Sequence, residues 1–150
     1  MVREATAADA TAIAELLHAF NSEYSEPSPE PAVLAERLGP LISSGDVTVV
    51  LAGSGPDGLA LLRFKPSLWS DGLEAYLEEL YVVPNLRGRG IGRALMERSM
   101  KLARERGATR MDLGTSTDDT AARALYEKLG FTNLERQPDG PTMLFYEREL

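Results

Sequence analysis

Leu80-Tyr81-Val82-Val83-Pro84-Asn85-Leu86-Arg87-Gly88-Arg89-Gly90-Ile91-Gly92-Arg93-Ala94-Leu95 is the stretch on which the fold of this chain turns. Its first residues are apolar and β-prone, and Pro84 lacks the N–H that a continuing strand would donate. Glycines then alternate at 88, 90 and 92. Beyond them the period becomes helical: Ile91, Ala94, Leu95, Ser99, Leu102 and Ala103 share one face, and the helix ends before Gly107. A glycine turn between strand and helix lets main chain approach a ligand and adopt positive φ. The first N–H groups of the helix have no intrahelical acceptor, and the helix dipole favours an anion there. Seven basic residues stand against two acidic ones between Arg87 and Arg106, in a chain of net charge −7. Phosphate is the expected occupant. A P-loop would need Gly-Lys-Ser/Thr where Gly92-Arg93-Ala94 stands, and a dinucleotide fingerprint would need glycine at Arg93 or Leu95.

The flanking segments predict the rest of the architecture. Thr6 and Asp9 have capping-pair spacing ahead of Ile13, Leu16, Leu17 and Phe20 on one helical face. After the Pro/Ser-rich stretch 25–31, a second helix is expected from Pro31 to Ile42. Strands are expected over 46–52, 59–65 and 73–83, joined by turns at 53–58 and 66–72. Beyond the glycine loop and its helix come a strand over 110–114 and a helix from Asp119 or Thr120 with Gly130 as its stop. Two last strands are expected over 131–136 and 143–148, around the turn Pro138–Pro141. The order β-α-α-β-β-β-α-β-α-β-β implies an α/β (α+β) fold with a mixed, mostly antiparallel sheet of about seven strands and about four helices.

Composition narrows the function. At 150 residues, 43% hydrophobic and 26% charged, one domain over residues 1–150 is expected. No apolar run reaches the roughly 20 residues of a membrane span. Met1-Val2-Arg3-Glu4-Ala5 lacks a basic-then-apolar leader, so a cytoplasmic protein without membrane attachment is expected. The absence of cysteine excludes disulfides, thiolate ligands and cysteine nucleophiles, and with His18 the sole histidine no metal is expected. The acidic balance argues against nucleic acid as a general partner.

Arg-x-x-Gly-x-Gly, read as Arg87, Gly90 and Gly92 after Leu80-Tyr81-Val82-Val83-Pro84, is similar to the acetyl-coenzyme A signature of the GNAT superfamily of N-acetyltransferases. Ala124-Leu125-Tyr126-Glu127-Lys128-Leu129-Gly130-Phe131 resembles that superfamily's second motif, a helix ending in Gly-Phe. The element order resembles its fold over essentially the whole chain. The resemblance implies a single GNAT domain using acetyl-CoA as cosubstrate, with splayed fourth and fifth strands. It places the pyrophosphate on main-chain N–H groups of Arg87, Gly88, Arg89, Gly90, Ile91 and Gly92. The pantetheine arm would enter the wedge and pair with main chain near Leu80, Tyr81 and Val82 as an added strand. Asp119 stands where many members carry an asparagine that contacts this arm. An ionised aspartate accepts hydrogen bonds but cannot donate one, and its other reading is a helix N-cap, which Asp118 or Asp119 could supply.

Acetyl transfer to an amine needs the neutral amine, and a lysine-like group of pKa about 10.4 costs roughly 4.6 kcal/mol to neutralise at pH 7. Glu78 and Glu79 interrupt the apolar strand 73–83 and are the candidate base and cation binder. Strand alternation sends the two to opposite faces unless a bulge intervenes. Leu77-Glu78-Glu79-Leu80 is similar to the Leu-Glu-Asp-Phe of polyamine-type acetyltransferases, which implies Glu78 as base through water and Glu79 as amine binder. A structural salt bridge is the alternative for either residue. The resemblance makes Tyr126 the hydroxyl beside the departing sulfur; a core aromatic is its alternative. A phenol of pKa about 10 giving its proton to a thiolate of about 8.5 is uphill by about 2 kcal/mol, so hydrogen bonding is as plausible as full transfer. Phe20, Glu23, Tyr24 and Glu26 fall where the family places its acceptor-site wall, and Trp69 in the hairpin loop is a candidate to reach the same mouth, with ordinary surface or core roles the alternative for each; His18 has no expected role.

The expected function is acetyl transfer from acetyl-CoA to a primary amine of a small, cationic acceptor by direct attack in a ternary complex. Peptide or protein N-termini are the competing acceptors. A non-catalytic coenzyme A-binding regulator and a nucleotide-binding module are the readings from other classes. A homodimer is compatible with the family's habits.

Overall fold

Five strands and three α-helices form Met1–Leu113, the first of two units into which the computed structural model divides; residues 1–136 and 138–150 are described. β1 (Val2–Glu4) leads through a short 3₁₀ turn to α1 (Ala10–Glu23). The Asp9 carboxylate accepts from the Thr6 N–H at 2.8 Å and from both ends of the Arg3 fork at 2.8 and 2.9 Å. These bonds, with Arg3 the strongest, hold Asp9 down at a pKa of about 2. Ala10, Ile13, Ala14 and Leu16 form the buried stripe of α1. The helix ends where Ser25 takes a left-handed φ of 56° and the Glu26 N–H returns to the Asn21 carbonyl at 2.8 Å. His18 Nδ1 lies 3.1 Å from the Pro29 carbonyl and Asn21 Nδ2 donates to that of Pro27 at 2.9 Å, so side chains of α1 hold the proline-rich loop. α2 (Pro31–Ser44) starts on a proline and stops at Gly45, φ 83°.

The sheet has the order β1-β2-β3-β4-β5, with β2 (Thr48–Ala52), β3 (Gly58–Pro66), β4 (Leu73–Val82) and β5 (Ala108–Leu113). The first four strands are antiparallel; α3 (Ile91–Glu105) crosses over and brings β5 parallel to β4. Val49, Leu51, Leu59, Leu61 and Tyr81 face the core cluster with α1 and α2. Their neighbours in sequence, Val50, Ala60 and Leu62, point to the other face, where the stripe Leu95, Met96, Ser99 and Leu102 of α3 is buried. Parallel pairing of β4 with β5 ends at Leu77 and Leu113, so among the described residues Glu78–Val82 continue with no strand paired on that side. This is the expected splay.

In the second unit, Gly114–Leu150, α4 (Thr120–Lys128) is capped by Asp119, whose Oδ1 accepts from the Ala122 N–H at 3.2 Å. Gly130, φ 92°, stops it, and the Phe131 N–H returns to the Tyr126 carbonyl at 3.0 Å. The strands expected over 131–136 and 143–148 are not formed among the described residues. The chain reverses there through one bridge, Leu134 to Thr142, so the sheet has five strands and not seven. Met143-Leu144-Phe145-Tyr146 is apolar at every position and would need cover on both faces to sit as a strand, yet each of the four is exposed. No helix among the described residues is long and apolar enough to cross a membrane.

Candidate active site

The register of β3 against β4 shifts in mid-strand. Leu61 faces Glu79 but Leu62 faces Leu77, which leaves Glu78 as the extra residue of a β-bulge. Glu79 shares the face of Leu61 and Tyr81, toward α1 and α2. Arg63, two residues along β3 from Leu61, lies on that face as well, and its Nε donates to Glu78 Oε2 at 3.0 Å. The bulge thus turns two consecutive carboxylates to one side, which simple alternation forbids. Their surroundings differ. Glu78 is ion-paired and part-exposed, while no described residue donates to Glu79. Burial first, and the charge of Glu78 second, push the Glu79 carboxyl above the ordinary range.

The splay opens one edge of β4. The Val83 N–H donates to the Asp57 carbonyl at 2.9 Å, so by the alternation of an antiparallel ladder Tyr81 turns its main chain to β3. Leu80 and Val82 turn theirs to the open side, where Arg87 Nε already holds the Val82 carbonyl at 2.9 Å. Next comes a 3₁₀ turn over Pro84–Leu86, in which the Arg87 N–H reaches back to Pro84 at 3.4 Å. Gly88 and Gly90 follow with φ of 77° and 85°, and a Cβ built on either would meet nothing within 4 Å. The first bond of α3 is Ala94 N–H to the Gly90 carbonyl at 3.0 Å, and no side chain caps the helix. Among the described residues the N–H groups of residues 88–93, including Arg89, Ile91 and Gly92, make no hydrogen bond. A run of uncapped donors at a helix start, over glycines in open space, can hold a diphosphate.

In the second unit Tyr126 is buried on α4 with its ring 6.0 Å from that of Phe131. Burial, then the charge of Asp119, push its phenol up to about 12. Within that unit no described residue accepts from its hydroxyl. Trp69 is 89% exposed on the β3–β4 turn, ten residues before Glu79 and beyond the start of β4, itself about 20 Å of strand away, so it does not line this site. Arg63 is the site residue missed from the sequence. Its partner could be found only by counting across the hairpin and through a bulge that no residue type announces.

The acetyltransferase (GNAT) family profile matches residues 13–131. The chain belongs to this family. It is therefore a GNAT N-acetyltransferase. The thialysine N-epsilon-acetyltransferase of Bos taurus is 30% identical over 146 residues, covering 89% of this chain and 85% of that one. The mycothiol acetyltransferase of Beutenbergia cavernae is 42% identical over 69 residues, but the match spans only 23% of its length and 44% of this chain. A crystal structure of a candidate acetyltransferase from Arthrobacter sp. FB24 superposes with a TM-score of 0.92 at 46% identity, covering 100% of this chain and 96% of that one. GNAT enzymes use acetyl-CoA. The unbonded amides of residues 88–93 and the open edge at Leu80 and Val82 fit its diphosphate and its extended arm. Among the described residues no group of three potential ligands is placed to hold a metal ion.

Proposed function

We propose that this GNAT enzyme acetylates a primary amine on a small cationic molecule by direct attack in a ternary complex, residues 1–150 acting as one functional domain. Acetyl-CoA, when bound, supplies the acyl thioester. The N–H groups of residues 88–93 hold its diphosphate. The main chain of Leu80 and the N–H of Val82 align its arm, and Asp119 remains a candidate contact beside its capping role. Glu79 takes the amine proton, directly or through water, as the N–C bond forms and the C–S bond breaks. Glu78, held in place by Arg63, offers its remaining carboxylate lone pairs to the ammonium group of the amine. This assignment exchanges the roles implied by the resemblance. The observation that carries it is the Glu79 carboxyl itself, half-buried, turned by the bulge to the α1 face, with no donor among the described residues and raised above its ordinary value. Tyr126 supports the departing sulfur by donating a hydrogen bond.

An acceptor of this class agrees with the thialysine N-epsilon-acetyltransferase, whose name places its acetyl group on an ε-amine. The test is thiol release from acetyl-CoA against diamines, amino acids with side-chain amines and peptide N-termini, beside calorimetry of coenzyme A. Small diamines or ε-amines should turn over fastest. Preference for peptide N-termini would replace the acceptor class, and no saturable coenzyme uptake would overturn the reading.

A further inference from the structure

Arg87 opens the signature loop, yet its guanidinium is already engaged. Nη1 donates to Glu23 Oε2 and Nη2 to Glu23 Oε1, each at 2.8 Å, a two-pronged pair. Nε donates to the Val82 carbonyl at 2.9 Å, and Cζ lies 5.5 Å from the centre of the Tyr81 ring. A fork filled by a carboxylate is not a vacant phosphate ligand; a diphosphate would have to break that pair to use it. The Arg87 N–H is also turned back to Pro84, unlike those that follow it.

Glu23 is the last residue of α1, and it accepts a third bond, from the Tyr81 hydroxyl at 3.1 Å. The Tyr81 ring stacks on Phe20 at 4.8 Å and 15°. Tyr81 stands two residues from Glu79 on the same face, about 7 Å along the strand. One carboxylate therefore joins the glycine loop, the open edge of β4 and the end of α1 beside the candidate base. We propose that Arg87 is a positioning residue and not a diphosphate ligand: clamped by Glu23 and Val82, it couples the coenzyme loop to the α1 end, so that coenzyme and amine bind as a linked pair. This rests on the reading that the diphosphate lies on residues 88–93 and the amine at Glu79.

The test is a cycle of Glu23→Gln, Arg87→Gln and the double variant, with the exchanged pair Glu23→Arg/Arg87→Glu as a rescue. Calorimetry of coenzyme A, the KM of the amine and thermal unfolding without ligand are read for each. Each single change should weaken coenzyme A by about three- to tenfold and raise the amine KM by a similar factor, with the double variant no worse than either. The exchanged pair should regain part of the loss. Direct phosphate binding, which overturns the proposal, would appear as Arg87→Gln weakening coenzyme A while Glu23→Gln leaves or tightens it. Multiplying effects, or none, would overturn it too. Should the wild type take up no coenzyme A, the functional reading fails, and the clamp is then judged by unfolding alone. Equal Tm losses of about 2–4 °C that do not add support it, and losses that add overturn it.

Discussion

The role proposed for Glu79 sets stability against chemistry. Its native carboxyl holds a proton to higher pH than it would in the unfolded chain, whose value is near the ordinary 4.5. Above that value the native state binds the extra proton, so stability falls as pH rises toward the native pKa and stays lower beyond it. Glu79→Gln removes a half-buried charge beside Glu78 and should raise Tm at pH 7. It should also lower kcat/KM by about 10²–10³ and abolish the acidic limb of the pH profile due to this group. Stopped-flow thiol release and a melting curve on one sample check both signs. Tyr126 separates proton transfer from hydrogen bonding. With a phenol pushed up to about 12, giving its proton to a thiolate of about 8.5 is uphill by roughly 5 kcal/mol. Hydrogen-bond donation is the favoured role. Tyr126→Phe should lower kcat about tenfold or more while calorimetry finds the coenzyme Kd within about twofold of wild type. Unchanged turnover would remove Tyr126 from the reaction.

Single elements set the rest of the geometry. The strand β4 does two things no uniform ladder could: its bulge at Glu78 brings both carboxylates to the α1 face, and its unpaired end from Glu78 to Val82 leaves main chain available. The glycine loop does a third. Gly90 holds φ 85° at the start of α3, where a side chain is strained and where an added Cβ would point into open space. Gly90→Ala should therefore cost about 1–2 kcal/mol of unfolding stability for the left-handed backbone. Its coenzyme affinity should fall more than tenfold in calorimetry, because the Cβ enters the room for the diphosphate. An undiminished affinity would place the diphosphate elsewhere.

Over the whole molecule, a net charge of −7 with a basic stretch from Arg87 to Arg106 gives the two substrates different fields. On the proposed reading, a cationic amine would be steered by the acidic remainder of the chain, and salt would screen that steering. Raising ionic strength from about 0.01 to 0.15 M should lower kcat/KM for a diamine severalfold more than for a singly charged amine. Equal losses would remove long-range attraction from the acceptor's selection. The sequence by itself determined the alternating glycines, the helix that follows them and the order of elements through α4, because each follows from local period and backbone freedom; the choice of Asp119 over Asp118 as cap came from the structure. Only tertiary structure decided which way Glu78 and Glu79 point, since that depends on a register shift against β3. The same holds for the partners of Arg63 and Arg87, which are 15 and 64 residues away in the chain. The last two expected strands show the limit from the other side: apolar composition was legible in Met143–Tyr146, but a strand exists only where another strand and a covering layer meet it.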